Sequence, residues 1–272
     1  LEKLKLMKGN GVNRISIGLQ SADDEMLKKM GRLHNYDQFV ASYNAARRAG
    51  FNNINIDIMS GLPGQTIHTF VDTLSKVIDY QPEHISVYSL ILEEGTKLER
   101  QVEKGKISLP DEATERNMYW YVKNTLEKKG YKHYEISNFA KESKESKHNV
   151  NCWKQKEYRG FGIAAHSYIH NLRFSNTANL EEYIGNIANN DFLANTRVHE
   201  RQDEQAMKKE YMLLGLRKIE GISITEFKNK YKENPLFLYK EELNELVKEK
   251  LIIIGGDRIK LTNKGLDFAN LV

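Results

Sequence analysis

The 272-residue sequence contains one cysteine, four prolines and no long apolar run. Each scarcity excludes something. A single thiol, Cys152, cannot build an intramolecular disulfide framework, and it fits a reducing, cytoplasmic compartment. Without a stretch of about 18 apolar residues nothing reads as a transmembrane helix, and only a peripheral membrane contact stays open. The opening Leu1-Glu2-Lys3-Leu4-Lys5-Leu6 has neither the apolar core nor the cleavage site of a secretory signal. Charge of one sign is also scarce. The 41 Lys and Arg against 37 Asp and Glu leave a net +4, which does not suggest nucleic acid unless basic residues cluster on one face. What is there is a globular balance, 40% hydrophobic and 29% charged, long enough for one large domain and a smaller one. The chain starts without Met inside an amphipathic pattern, and so reads as a fragment.

Three segments alternate strictly between apolar and polar residues, the period of a half-buried strand. They are Arg14 to Gln20, Asn53 to Ile58 and His84 to Leu90. Helical patterns lie between and after them. Asn35 to Ala49 puts Phe39, Val40, Tyr43 and Ala46 on one face and stops at Gly50. Thr66 to Tyr80 does the same with Phe70, Leu74, Val77 and Ile78, and Asp111 to Lys129 follows Pro110. Strand alternating with helix predicts a parallel sheet. Doubly covered parallel strands usually read as continuous apolar runs. Here one strand face is Ile-rich, while the other carries Ser16, Gly18 and Gln20, or Asn53, Asn55 and Asp57. That pattern suits a barrel, or part of one, whose interior faces a polar ligand, with working residues at the strands' C-terminal ends. An antiparallel sheet with one wet face reads the same way.

Beyond residue 130 the pattern shifts to strands and loops over Tyr131 to Asn138 and Tyr158 to Phe174, with a solvated loop at Lys141 to Lys147. From about Thr196 a helical module begins, with helices through Met207 to Leu216, from Ser223, and over Leu238 to Lys250. The segment Leu251 to Leu261, turning at Gly255-Gly256-Asp257, predicts a hairpin and with it a winged-helix-like domain. Glu241, Glu242, Glu245 and Glu249 lie on the helix that would enter a DNA groove, and they would repel phosphates. The module therefore reads as protein- or haem-facing, with no nucleic acid.

Asp57 and Gln20, at neighbouring strand ends, suit the two hydroxyls of a ribose, and the Arg32 fork suits a carboxylate. Each also has a plainer reading: a loop cap, a satisfied polar group, a surface cation. A resemblance decides between them. Gly11 to Ser21, Met30 to His34, Asn55 to Thr66, His133 to Ala140 and His148 to Trp153 resemble, in order, motifs of the HemN/HemW radical-SAM family. The fold implied is α/β: a partial (β/α) radical-SAM barrel without its first strands, plus a small C-terminal winged-helix-like α+β domain. Its expected parts are residues 1–130 (barrel), 131–195 (barrel extension with a haem-motif segment) and 196–272 (C-terminal domain).

The resemblance implies that Gln20 and Asp57 contact the ribose of S-adenosylmethionine, that Arg32 takes its methionine carboxylate, and that Ser89 and His166 lie near the adenosyl group. It implies a [4Fe-4S] cluster on a Cys-x-x-x-Cys-x-x-Cys loop that this chain lacks, so the chain is expected to be catalytically silent. His148 matches the histidine of a His-Asn-x-x-Tyr-Trp haem motif, with Cys152 where Tyr is usual; Cys152 is either a second iron ligand or a small buried hydrophobe. Gly160 to Ser167 is a small-residue stretch where a backbone can approach a ligand. The function implied is a HemW-type haem chaperone with haem and haem-acceptor proteins as partners, and a homodimer left open. The alternatives are an oxygen-independent coproporphyrinogen III oxidase of porphyrin biosynthesis and a cluster-less binding protein.

Overall fold

Alternation becomes a sheet in the computed structural model, which describes residues 1–269. The last three residues of the expected C-terminal domain lie outside the described residues. Strands β1 (Ile15–Gln20), β2 (Ile54–Ser60) and β3 (His84–Ser89) are parallel neighbours, with Ile17 opposite Ile56 and Ile56 opposite Ile85. The antiparallel alternative therefore fails for these three. Their Ile faces bury Ile54, Ile56, Ile58 and Ile85 completely beneath Phe39, Phe70, Leu74, Val77, Met118 and Leu126 of the crossover helices. The polar face is left for the site.

The helices begin where their caps stand. Asn35 closes a capping box on helix Tyr36–Arg48 and Thr66 closes another on helix Ile67–Asp79, each satisfying backbone N–H groups that the first turn cannot. Asp111 caps helix Glu112–Lys128. Gly50, at φ +86°, takes the left-handed conformation just past the first of these helices. The sheet then continues antiparallel through a hairpin, β4 (Lys132–Glu135) and β5 (Asn138–Ala140), in the order β1-β2-β3-β5-β4. It is open, with β1 at its edge, as a partial barrel requires.

Two compact units result, Leu1–Glu145 and Ser146–Val272. The second contains an antiparallel sheet of β6 (His166–Ile169), β7 (Leu172–Asn176) and β8 (Thr196–Arg201). Its C-terminal part is winged-helix-like. Helices Glu204–Leu216, Ile224–Tyr231 and Lys240–Lys248 pack on a sheet of β9 (Ile222–Ser223), β10 (Ile252–Gly255) and β11 (Arg258–Leu261), with Phe227, Ile222 and Ile259 fully buried.

Three details differ from the sequence expectations. Thr196–Arg201, expected to open the helical module, is strand β8 paired with β7, and the module's first helix starts only after its cap, Asp203. The loop expected over Lys141 to Lys147 ends early, because Ser146 is buried and caps the helix Lys147–Trp153. The two-residue β9 turns the wing into three strands.

Candidate functional site

The polar face of the parallel sheet concentrates the candidate residues of the first unit. Alternation puts Asn55, Asp57 and Met59 of β2 on that face, with Ser16 and Gly18 of β1 on one side and His84 and Ser86 of β3 on the other. Gly18 stands opposite Asp57. Between Gly18 and Gln20 the register slips by one residue, and Gln20 ends the strand at φ +69°. Such a bulge re-aims a side chain. The Gln20 amide folds back over Gly18 so closely that a Cβ there would lie 2.6 Å from Nε2. The structure thus brings Gln20 beside Asp57, as a diol site needs.

Arg32 is exposed and lines a cavity of about 830 Å³ together with Met59, Gly64 and Leu90. Met59 lies two residues beyond Asp57 on the same strand face, so the cavity continues from the polar face. Lys28, Lys29, Lys97 and Lys106 line it as well, a strongly cationic wall suited to a carboxylate. Ser89 is less aligned. It alternates onto the face of Ile85 and Val87, at the strand's end, and its Oγ lies 3.4 Å from that of Ser60.

A buried polar network backs Asp57. Asn55 Nδ2 donates to Asp57 Oδ1 (2.7 Å) and to Ser16 Oγ (3.2 Å), while Asn55 Oδ1 faces His84 Nδ1 (2.6 Å) and accepts from Ser86 Oγ (3.1 Å). His84 Nε2 meets the Tyr134 hydroxyl at 2.7 Å. Burial, helped by the charge of Arg14, pushes the His84 pKa down to about 3, so the imidazole is neutral at physiological pH. Burial likewise lowers the Arg14 pKa, against the attraction of Tyr134 and Asp57. His84 and Tyr134 were not singled out from sequence. The available signal was His84 leading the alternation of β3 on the same face as Ser86.

The remaining candidates belong to the second unit. His148 and Cys152 are one turn apart on helix Lys147–Trp153, with Sγ 3.8 Å from Nε2, and the His148 ring meets Tyr158 edge-on at 5.9 Å. Burial pushes the Cys152 thiol up, so it is protonated near neutrality. His166 is exposed at the start of β6 and stacks on His199 at 5.1 Å. Behind it Gly160 is packed so tightly that a Cβ would sit 2.3 Å from the His166 carbonyl oxygen, which explains the small residue there. Among the described residues no group of three or more His, Cys, Asp or Glu is placed to hold a metal ion. These residues do not make up the ligand set of an iron–sulfur cluster.

Comparisons with known proteins match this layout. Residues 1–77 match the Radical SAM superfamily and residues 203–268 the HemN C-terminal domain. The heme chaperone HemW of Bacillus subtilis (strain 168) is 40% identical over 271 residues, covering all of this chain and 71% of that protein. The chain belongs to the HemW family of radical-SAM proteins. HemW of Lactococcus lactis (strain IL1403) is 36% identical over 276 residues, again across the whole chain and 70% of its own length. Among solved structures, the coproporphyrinogen III oxidase HemN of Escherichia coli, described as a radical SAM enzyme, superposes with a TM-score of 0.78 at 20% identity. That match covers 99% of this HemW-family chain and 65% of the oxidase, and establishes the partial barrel with its C-terminal domain as a HemN-like fold. Among the described residues no helix is long and apolar enough to cross a membrane.

Proposed function

We propose that this chain is the S-adenosylmethionine- and haem-holding part of a cytoplasmic haem chaperone that passes haem to acceptor proteins. The observation that carries the reading is its 40% identity, across its full length, to a protein named as a heme chaperone. The polar sheet face supports the cofactor half of it. Gln20 and Asp57 would hold the ribose hydroxyls, Arg32 the methionine carboxylate, and Ser89 and His166 would serve the adenosyl group. Beside an iron–sulfur cluster, S-adenosylmethionine supplies a carbon-centred radical when its sulfonium is split. The residues here bind and orient; no step is derived through a cluster whose ligands they do not provide.

For haem, His148 is the proposed iron ligand. Its ring is exposed on a short helix, and a neutral imidazole is a good axial donor. The protonated Cys152 thiol is the poorer donor of the pair. A dimer would add a second haem site without changing this chemistry.

Titration of the chain with ferric haem tests the proposal. Wild-type protein is expected to bind and to release haem to an apo-haem acceptor. His148→Ala should weaken binding by about tenfold or more, as loss of a metal ligand does. An unchanged affinity and absorption spectrum would remove His148 as the ligand. Enzymatic turnover of coproporphyrinogen by the protein loaded with its cluster would replace the chaperone by the oxidase.

A further inference from the structure

The hydrogen bonds behind Asp57 have a fixed direction. A carboxylate only accepts, so the Asn55 atom 2.7 Å from Asp57 Oδ1 must be the amide nitrogen. The Asn55 oxygen then faces His84 Nδ1 at 2.6 Å and the Ser86 hydroxyl at 3.1 Å, and both must donate to it. His84 therefore carries its proton on Nδ1. Its bare Nε2 accepts from the Tyr134 hydroxyl at 2.7 Å. His84 is 1% exposed and Asn55 3%, so water does not compete for these bonds. The chain of donors runs from Tyr134 in β4, through His84 in β3 and Asn55 in β2, to Asp57. It commits Oδ1 of Asp57 and leaves Oδ2 as the oxygen for a ligand hydroxyl.

We propose that His84 and Asn55 are positioning residues that fix the Asp57 carboxylate, so that the site selects a ribose diol over a deoxyribose. The inference rests on the reading of Asp57 as a ribose ligand. A carboxylate free to rotate would still attract a cation or accept from one hydroxyl. Held at one oxygen, it presents the other in a single direction, and that direction is what a missing 2′-hydroxyl forfeits. Neutral His84 suits the role, since a protonated ring would present a second donor to Tyr134 in place of an acceptor.

Two measurements on the 272-residue chain test it. The first is the ¹⁵N spectrum of His84, for which the Nδ1–H tautomer is expected throughout the neutral range. The second compares S-adenosylhomocysteine with its 2′-deoxy counterpart by ligand-observed NMR and calorimetry. The wild type should prefer the ribose form by about tenfold, the worth of a hydrogen bond to a charged group. Asn55→Asp has the same shape but turns the donor facing Asp57 into an acceptor. It should bring the two affinities within about twofold, whereas general loosening of the fold would weaken both ligands equally. Tyr134→Phe, which keeps the ring beside His84, should reduce the preference in the same direction if Asn55→Asp fails to fold. A preference that survives in folded Asn55→Asp, or in Tyr134→Phe where Asn55→Asp does not fold, overturns the inference alone. So does an Nε2–H proton on His84. No ribose preference in the wild type overturns the role of Asp57, and the inference with it.

Discussion

His84 shows at the scale of one residue how the sheet's polar face constrains the protein. Its pKa is held near 3 in the folded chain against an ordinary 6.5, so between those values the unfolded chain binds a proton that the folded chain refuses. Stability is then complete above about pH 6.5 and falls as the pH drops toward 3, by up to about 1.4 kcal/mol per unit. Urea titrations between pH 7 and 4.5 should show this slope, and His84→Gln should flatten it. Gly18 sets a second constraint. Gly18→Ala would place a methyl 2.6 Å from the Gln20 amide, which must swing away from Asp57. Because Gln20 is a flexible side chain the fold should stay intact, while affinity for S-adenosylhomocysteine in calorimetry should fall by about tenfold. Asp57 and Gln20 were legible in the sequence because strand alternation alone places both on the polar face. His84 and Tyr134 were not, because their value lies in meeting across fifty residues of sequence, a distance no local pattern encodes.

Elements were legible where periodicity and caps agree. The boxes at Asn35 and Thr66 mark helix starts to within a residue, and Thr66→Ala, which removes the acceptor for the Thr69 N–H, should lower thermal stability by about 1 kcal/mol. They were illegible where the stabilising contact is remote. β9 is two residues long and exists because β11 pairs with it, and β8 is exposed along most of its length and so shows no apolar face to read. The wing's turn gives the sharper case. Asp257, in the hairpin between β10 and β11, accepts from Ser223 Oγ, from the Thr225 hydroxyl at 2.7 Å and from the Thr225 backbone N–H at 2.8 Å. Those bonds tie the hairpin to the start of helix Ile224–Tyr231 and hold the Asp257 carboxyl below its usual range. Asp257→Ala should destabilise the C-terminal unit by about 1–2 kcal/mol at neutral pH. Between the wild type and this variant the gap should narrow as the pH falls through the acid range, since protonating the wild-type carboxylate removes the same acceptor; chemical denaturation at pH 7 and pH 3.5 measures it.

For the whole molecule, two cores imply two events. The first unit is organised around Leu19, Ile56, Phe70, Leu74 and Leu126, and the second around Tyr211, Ile222, Phe227 and Ile259, each a separate buried cluster. The sequence holds two tryptophans, and they divide between the units as Trp120 and Trp153. Trp153→Phe thus leaves a fluorescence reporter of the first unit, and Trp120→Phe leaves one of the second. Phe70 is completely buried in the first core, and Phe70→Ala should cost that unit about 3–5 kcal/mol through lost burial and a cavity. In the Trp120 reporter its midpoint should move to markedly lower urea, whereas in the Trp153 reporter the midpoint should stay within error. A common shift in both would show that the units unfold as one cooperative body. The same separation bears on function, since the Asp57 site and His148 belong to different units. Phe70→Ala, at a temperature where only the first unit has melted, should abolish S-adenosylhomocysteine binding and leave the haem spectrum of His148 in place.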